Sequence, residues 1–467
     1  MMQPRLIALL LVACGLAGCA HVAEMPAVPL PEAPAYRGAP QAAAVPALQR
    51  DTWWTLYQDP ELDRLQQQLL ANSPDLGSAL ARYQQARAAT DSLRAARLPS
   101  VGASADVVRT RQSENRPLRG AGSSNYYNSG TLSLSLDYEL DLWGRISRQV
   151  AAGAAEEQAA QADLAGAQLA LQAQLADTLL ALRGADQEIE LLRETEAAFA
   201  RAAGMVVERH RAGLASGLDV AQAEAQQESA RSQLHQVQAQ RDVLEHAIAA
   251  LVGSHASTFS IQAAPASDVL PTIPTGVPSE LLQRRPDIAA AQRRVAAANA
   301  GVGVARTAFF PSLRLSATGG YQSSDLGNII AAPNVFWAIG PGLLANLFDG
   351  GRRRAEVARA EAVLDETGQT YRATVLAAFQ QVEDQLALLR RYGNATQAEQ
   401  RTVAASRRAL DMATSRYRDG AASYLDVVAA QTTNLQARRN ALDLATRQRR
   451  ATVQLIRAIG GGWSFEG

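Results

Sequence analysis

In the segments after Pro99 and Pro311, apolar and polar residues alternate, and this pattern predicts β-strands. In residues 131–141, TLSLSLDYELD, the apolar side chains share one face and Ser, Asp and Glu share the other. The same alternation, though weaker, predicts strands in three further segments: 101–107, 313–321 and 335–346. The last segment is apolar on both faces and contains Pro341. Segments of about ten alternating residues are typical of a membrane β-barrel, with a soluble half-buried sheet as the alternative.

Helical periodicity fills most of the remaining chain. Pro74 and Pro286 are placed to open helices, because proline fits the first helical turn, and Pro99 and Pro311 are placed to stop them. After each strand pair, nearly seventy residues are predicted to form one long helix. Apolar residues recur every seven positions in 175–189 of the first long helix and in 428–442 of the second returning helix, which is coiled-coil spacing. A returning helix about half as long follows each of them. We expect the helices opened by Pro74 and Pro286 to stack on the ends of these returning helices.

A ten-residue turn occurs twice, as RAGLASGLDV in 211–220 and as RDGAASYLDV in 418–427. Each copy supplies a Gly at which a helix can end with positive φ and a Ser that can cap the next helix. Each turn is therefore predicted to be the tip of a long helical hairpin.

The two turns lie 207 residues apart and the proline pairs 212 apart, which indicates an internally duplicated chain. Unequal hairpin loops could hold the difference of five residues. The predicted β-hairpins cover about 100–141 and 312–346. The predicted organisation is a signal peptide (1–18), a Pro- and Ala-rich tether (19–50), a first repeat (51–253), an equatorial connection (254–285), a second repeat (286–460) and a C-terminal tail (461–467).

Composition favours close-packed long helices, because aromatic residues make up 5% of the chain and Ala is frequent. The 45 basic residues balance the 45 acidic ones, so nothing indicates a nucleic-acid partner. All the basic residues are Arg, and the absence of Lys excludes a P-loop of the GxxxxGK[ST] kind and a Schiff-base lysine. Any energy input must then come from a partner protein.

The N-terminus resembles the secretory signal of a lipoprotein. Arg5 and a short apolar run are followed by LAGC, which resembles the bacterial lipobox, in which the Cys is acylated. Cys14 leaves with the signal, so Cys19 is the one cysteine of the mature chain and cannot form an internal disulfide. An incidental Cys beside a signal cleavage site is the alternative. Ala20, rather than Asp, favours the outer membrane in the lipoproteins that the chain resembles.

Four predicted strands cannot close a barrel, and an open sheet edge in lipid would leave backbone groups unsatisfied. The chain must therefore oligomerise. A dimer would give eight strands and a filled interior, while a trimer would give twelve strands and a lumen. The residue pattern alone leaves both open.

Several motifs together resemble the TolC-like outer-membrane efflux family, in its NodT-like lipoprotein branch. They are WWTLYQDPELDRL, NSPDL, RRPDI, LFDGGRRR and the two tip turns. The resemblance implies a mixed α and β fold: a homotrimeric twelve-stranded outer-membrane β-barrel continued by a periplasmic α-helical barrel, with an equatorial domain. It also implies a passive exit duct, lipid-anchored in the outer membrane, for an inner-membrane pump of the resistance-nodulation-division type joined through a periplasmic adaptor.

The resemblance also implies roles for residues of the two tips. The positions implied to dock the adaptor are Gly213, Ser216, Gly420 and Ser423. The positions implied to lie at the periplasmic gate are Leu425, Asp426, Tyr417 and Asp219. Ordinary turn and cap chemistry is the alternative for the Gly and Ser positions. Family members often carry an acid where this chain has Ala429, so an apolar constriction at Leu425 is the better expectation.

No motif predicts an enzyme. His235 and His246 could share a helix face, but no third ligand accompanies them, so a metal site is not expected. The expected cofactor list is empty except for the covalent lipid on Cys19. Two function classes remain: a duct for small toxic compounds, which the lipobox and the NodT-like motifs favour, and a duct for polypeptide secretion as the alternative. A coiled-coil lipoprotein scaffold is the interpretation without a channel.

Overall fold

The computed structural model describes Tyr36 and residues 52–463, apart from 118, 119, 121, 123, 265–268 and 274–280. The predicted signal peptide and Cys19 lie outside the described residues. A 3-10 helix, Trp53–Tyr57, precedes the longer helices. In chain order these are α1 (Pro60–Asn72), α2 (Pro74–Ala95), α3 (Arg145–Arg211), α4 (Gly217–Leu251), α5 (Pro286–Thr307), α6 (Arg352–Arg418) and α7 (Tyr424–Ala458). None of the described helices is both long enough and apolar enough to cross a membrane.

The described strands form one antiparallel sheet in chain order: β1 (Ser100–Arg111), β2 (Tyr126–Leu140), β3 (Ser312–Ser323) and β4 (Val335–Leu344). All four predicted strands are thus confirmed, although β2 begins five residues earlier than expected. In the register, Leu134 of β2 lies opposite Ala103 of β1 and Gly319 of β3. Pro341 lies in β4, an edge strand, where a missing N–H is tolerated.

Both repeats contain the same series of helices, which confirms the predicted duplication. The long helices α3 and α6 have 67 residues each, and the returning helices α4 and α7 have 35 each. The second β-hairpin is shorter than the first, because β4 has 10 residues and β2 has 15. Unequal loops were expected to explain why the repeat distance falls from 212 to 207 residues, but unequal strand lengths contribute as well.

The chain divides into two compact units. Among the described residues, the first unit contains 83–160 and 291–371, which hold the sheet and the helix segments next to it. The second unit contains the remaining described residues, including both turns between the long helices. Each unit is built from matching segments of the two repeats.

In the first unit, an Asp caps the start of each long helix. Asp141 accepts hydrogen bonds from the backbone N–H groups of Ile146 (2.9 Å) and Ser147 (2.7 Å) at the start of α3. Asp349 accepts from the N–H of Gly351 (3.0 Å) and from Arg353 Nε (2.6 Å) at the start of α6. A carboxylate in this position satisfies N–H groups that have no helical partner and interacts favourably with the helix dipole.

Replacing Asp349 by Asn is expected to lower the melting temperature at neutral pH but not in acid. The hydrogen bond from Arg353, aided by the backbone donors, holds the pKa of Asp349 below its usual value. A lowered pKa stabilises the fold above the unfolded pKa of about 3.9, and that contribution is lost as pH falls through the lowered pKa. Thermal unfolding between pH 7 and about pH 2, which extends below the lowered pKa, measures this. Asp365→Asn, an exposed change in the same helix, is the control and should leave the profile unchanged.

An aromatic core fills part of the second unit, where the equatorial domain was expected. Trp53, Trp54 and Tyr57 are buried together with apolar residues of α1, α3 and the returning helices. The Tyr57 hydroxyl lies 2.6 Å from Thr452 Oγ1 of α7. Tyr36 is buried in the same cluster, so at this residue the predicted tether is anchored to the folded body rather than extended away from it.

Buried ion pairs in the second unit hold the connection between the repeats. Arg241 Nε lies 2.9 Å from Asp186 Oδ1, and Arg241 Nη1 lies 2.9 Å from Glu245 Oε2. The same guanidinium donates to the carbonyl oxygen of Ile261 at 2.5 Å, and the Glu245 carboxylate accepts from the Ile261 N–H. Both charged partners thus contact main-chain atoms of the connection.

Arg183 makes a second set of such contacts and is almost fully buried, with 4% of its surface exposed. Its Nη1 donates to the carbonyl oxygen of Gln262 at 2.8 Å, and its Nε lies 3.6 Å from Asp59 Oδ2. Asp186 accepts from the N–H of Ala264 at 3.4 Å. We call Arg183, Asp186, Arg241 and Glu245 the connection clamp. Removing one partner would leave another charge buried without compensation, which is costly.

Each returning helix ends on a glycine that touches the start of the matching short helix. Gly253, after α4, has φ 69° and lies against the backbone of Asn72, just before α2. Gly460, after α7, has φ 92° and lies against the backbone of Arg284, just before α5. The expected stacking of the short helices on the returning helices is confirmed at these two contacts.

Gly460→Ala is expected to destabilise the chain more than Gly420→Ala. Both glycines have positive φ, which costs an L-residue roughly 1–2 kcal/mol. A Cβ at Gly460 would also overlap the carbonyl of Arg284, adding about 1–3 kcal/mol, whereas a Cβ at Gly420 would meet nothing within 4 Å. Chemical denaturation of the two purified variants measures the difference. Equal losses would show that the close contact at Gly460 contributes nothing.

Candidate functional site

One face of the sheet is continuously apolar and exposed. Alternation along each strand and the pairing between strands place the following residues on it: Val101, Ala103, Ala105 and Val107 of β1; Leu132, Leu134, Leu136, Tyr138 and Leu140 of β2; Leu313, Leu315, Ala317 and Tyr321 of β3; Val335, Trp337, Ile339, Pro341 and Leu343 of β4. Leu134 is 60% exposed and Trp337 is 75% exposed. An apolar patch of this extent marks a surface that meets lipid or protein rather than water.

The opposite face is polar and carries mostly small side chains. Its central positions are occupied by Ser104, Ser133, Ser135, Thr318, Gly320, Ala338 and Gly340, and by one large side chain, Phe336, which pairs with Gly320. Apart from Asp106, its charges lie at the end next to the helices. There Arg145 Nε donates to Glu139 Oε1 at 2.8 Å, and Arg314 Nη2 lies 3.7 Å from Glu139 Oε2. This face suits contact with water and solutes.

The sheet has two open edges, the outer sides of β1 and β4. Each edge presents backbone N–H and C=O groups that no described strand pairs. Such an edge is a template for another strand. The sheet is therefore incomplete as a membrane wall in a single chain.

The two tips in the second unit have the same backbone geometry. Gly213 and Gly420 both have φ 76°, the left-handed conformation that glycine adopts without strain. The N–H of Leu214 donates to Arg209 O at 2.8 Å, and the N–H of Ala421 donates to Arg416 O at 2.8 Å. Each long helix thus ends in a turn of the Schellman type.

A serine and an aspartate start each returning helix. Ser216 Oγ accepts from the Asp219 N–H at 3.1 Å, and Asp219 Oδ2 accepts from the Ser216 N–H at 2.9 Å. In the second tip, Asp426 Oδ2 accepts from both the N–H (3.0 Å) and the hydroxyl (2.9 Å) of Ser423. All four side chains therefore take part in the turn and cap chemistry that was the alternative interpretation.

The second hairpin supplies the aromatic core of the tips. The rings of Tyr417 and Tyr424 lie 5.3 Å apart, both are buried, and Arg209 of the first hairpin lies 4.9 Å from the Tyr417 ring centre. Val206 and Val427 complete the cluster. Burial raises the pKa of the Tyr417 phenol, so this ring is neutral at physiological pH. The residue predicted at the gate is thus part of the tip interior.

Two leucines face outward beside this core. Leu425 is 58% exposed and Leu218, its counterpart, is 67% exposed. Leu425 follows the buried Tyr424, whereas Leu218 follows Gly217, where a Cβ would meet nothing within 4 Å. Arg209 and the packing of Tyr424 against Tyr417 were missed from the sequence, although the seven-residue spacing of the two tyrosines across the turn was available as a signal.

The described part of the chain contains no group of three or more His, Cys, Asp and Glu side chains placed to hold a metal ion. The sheet with its apolar face and the paired tips are the features that call for a function.

Comparison with known proteins explains both features together. Residues 65–254 and 277–461 match the outer membrane efflux protein family. The chain belongs to the outer membrane efflux protein family. It is 33% identical to the outer membrane protein OprJ of Pseudomonas aeruginosa over 464 residues, 98% of this chain and 95% of OprJ.

Two further likenesses agree with membership of the efflux family. The chain is 34% identical over 423 residues to OpmQ of Pseudomonas aeruginosa, a pyoverdine export outer membrane protein, covering 89% of this chain and 88% of OpmQ. A crystal structure of a membrane protein from Pseudomonas aeruginosa superposes with a TM-score of 0.87 at 31% identity, covering 95% of this chain and all of the other. The two matched ranges contain both hairpin tips and all four strands, so this efflux protein resides in the outer membrane.

Proposed function

We propose that this chain forms the passive, gated outer-membrane exit duct of a tripartite efflux system for small toxic compounds. The observation that carries the proposal is the four-stranded sheet with an exposed apolar face towards lipid and a small polar face towards solutes. Most central positions of the polar face, apart from Phe336, carry small side chains, which leaves room for solutes of varied structure. The duct carries out no chemical reaction of its own.

The working assembly is a homotrimer. Joining the open edges of β1 and β4 in a ring of three copies gives twelve strands with every backbone group paired, as lipid requires. An eight-stranded barrel from two copies would have an interior filled by side chains. Apart from Phe336, the central residues of the polar face are Ser, Thr, Gly and Ala, which are too small to fill such an interior, and this favours the trimer and an open lumen.

The tips form the gate and the docking surface. Leu425 is the side chain that closes the duct, and Asp426 and Asp219 fix the two helix starts. Tyr417 packs against Tyr424, the residue before Leu425, in the tip interior. The glycine and serine positions of both turns leave grooves for the hairpin tips of a periplasmic adaptor: Gly213, Ser216, Gly420 and Ser423. A Cβ at either glycine would meet nothing within 4 Å, so a partner backbone has room to approach.

The remaining partners follow from the same proposal. Cys19 carries a covalent lipid that helps to hold the trimer in the outer membrane, and each buried methylene of an acyl chain adds about 0.8 kcal/mol. An inner-membrane pump of the resistance-nodulation-division type supplies the energy. Transport of small compounds is favoured because relatives are named for pyoverdine export and for toluene efflux.

Filling the groove beside the first tip is expected to abolish export but preserve conductance. Gly217 is helical, and a Cβ there would meet nothing within 4 Å, so Gly217→Trp should fold while blocking the approach of an adaptor. Gly77→Trp in α2, equally open, is the matched control and should keep export. Drug susceptibility and planar-bilayer conductance are measured for both. Normal export by Gly217→Trp would contradict docking at this groove.

Deletion of the gene tests the function itself. Cells that express the pump should become sensitive to several small toxic compounds, and the wild-type chain should restore resistance. Unchanged susceptibility together with a missing extracellular protein would favour polypeptide secretion instead. A purified chain that conducts no ions in planar bilayers would contradict any duct.

A further inference from the structure

The apolar face of the sheet ends in two arginines on β1. The residues that follow Val107 on the same face are Arg109 and Arg111, both exposed. In the pairing with β2, Arg109 lies opposite Asn128 and Arg111 lies opposite Tyr126. The face that is apolar over most of its height therefore becomes basic and hydrogen-bonding at one end.

That end lies away from the helices of the first unit. β1 starts shortly after α2 and β2 ends shortly before α3, so Ser100 and Leu140 mark the helix end of the sheet. Arg111 and Tyr126 flank the loop that joins β1 to β2 and mark the loop end. In the proposed function the helices are periplasmic, and the two arginines therefore face the outer leaflet.

The height of the apolar band places the arginines at the lipid headgroups. Along β2 the apolar face runs from Leu140 to Gly130, about 34 Å at 3.4 Å per residue. With the usual strand tilt of roughly 40°, the band is about 26 Å tall, close to the ~25 Å of outer-membrane barrels. Leu326 and Ile329 of the next loop lie over Gly130 and complete the band at this level. Arg109 and Arg111 begin where the band stops.

The two guanidinium groups are not compensated by nearby carboxylates. In the described part of the chain, neither takes part in an ion pair, and Arg111 contacts the Tyr126 ring at 5.6 Å from its centre. Glu114, in the adjoining loop, accepts a hydrogen bond from Asn125 at 2.9 Å. Asp106 lies on the opposite face of β1. Two alternate residues of a strand stand about 7 Å apart, which suits one phosphate between them or two neighbouring phosphates.

We propose that Arg109 and Arg111, with Tyr126 and Asn128, bind the phosphate groups of a phosphorylated glycolipid of the outer leaflet, whose acyl chains lie along the apolar face. The guanidinium groups match phosphate geometry, and the phenol and amide can hydrogen-bond the sugar hydroxyls. The site depends on the membrane orientation in the proposed function. It would fix the height of the trimer in the bilayer.

Lipid retention by the purified full-length trimer tests this site. The probes are bisphosphorylated lipid A, the same glycolipid without phosphates, phosphatidylglycerol and inorganic phosphate. The test variant combines Arg109→Gln with Arg111→Gln, and two single variants separate their effects. The matched control is Arg359→Gln in α6, which removes an arginine that is 73% exposed and outside the strands. Bound probe is counted by native mass spectrometry after detergent exchange.

We expect the wild type and Arg359→Gln to retain bisphosphorylated lipid A and the double variant to lose about tenfold or more of it. The glycolipid without phosphates should bind all variants equally weakly. Equal retention by the double variant would overturn the site. Effective competition by inorganic phosphate alone would overturn its assignment to a lipid, and stronger retention of phosphatidylglycerol would overturn the choice of a glycolipid.

Conductance separates this proposal from the proposed function. If the double variant still inserts and conducts while lipid retention is unchanged, the lipid site is wrong and the duct stands. If the wild-type trimer neither inserts nor conducts, the proposed function is wrong. Both arginines are exposed at a strand end, so the double variant is expected to keep the fold, and the oligomer on a mild gel checks this.

Discussion

Replacing Leu425 by Ser is expected to raise the current through the closed duct several-fold, whereas Leu218→Ser should have a smaller effect. Leu425 is exposed on a helix start whose neighbouring ring, Tyr424, is packed into the tip core. The packing of Tyr424 therefore holds the backbone that carries the Leu425 side chain in place. Leu218 follows Gly217, which has no side chain to pack into the tip core. Removing an apolar side chain from a constriction admits water and ions.

Single-channel recordings of the two variants in planar bilayers measure this difference. The voltage, salt and lipid are held constant, and the fully open conductance of each variant serves as the internal reference. Equal closed-state currents in Leu425→Ser and Leu218→Ser would show that the gate is assigned to the wrong hairpin. If neither variant changed the closed-state current, the seal would have to be formed by residues other than these two leucines.

Placing an arginine on the apolar face is expected to prevent insertion, whereas the same change one residue further should be tolerated. Leu134→Arg puts a charge at the middle of the apolar face, at a cost of about 2–4 kcal/mol in each chain. Ser135→Arg adds the same side chain to the polar face, where water can solvate it. In the proposed trimer, this difference in insertion free energy between the two variants applies to each of the three chains.

Fractionation of the outer membrane and the yield of heat-sensitive oligomer measure the outcome for this pair. We expect Leu134→Arg to be nearly absent from the outer membrane and Ser135→Arg to be present at close to normal amounts. The adjacent positions share the same strand, so a general folding defect would affect both. Loss of Ser135→Arg with retention of Leu134→Arg would reverse the assignment of the two faces.

The strands and long helices could be predicted because their patterns are local. A two-residue period, bounded by Pro99 and Pro311, is enough to place β1 and β3, and the duplication predicts their partners. β4 departs from the period because its polar-face positions are also apolar or small. It forms nonetheless, since pairing with β3 satisfies its backbone and its edge position accommodates Pro341.

The interior of the tips could not be predicted, because periodicity marks a turn but not what packs behind it. Arg209 and Tyr417 come from different hairpins, 208 residues apart in sequence, and their contact depends on how the hairpins pack. The sequence accordingly predicts Tyr417 near the gate, but its packing in the tip interior could not be read from it. Asp141 and Asp349 are different: an Asp before a Gly at a helix start was visible in the sequence, and their cap role could have been inferred.

The connection clamp has a consequence for how freely this part of the chain can evolve. Its charged groups bind the carbonyl oxygen of Gln262, which any residue provides, and the N–H of Ala264, which any residue except proline provides. The clamp therefore fixes the path of the connection through main-chain atoms and does not depend on the side chains there. Substitutions at 262–264 other than proline should have little effect on stability and be tolerated during evolution. Substitutions that remove Arg183 or Arg241 should be destabilising and be selected against.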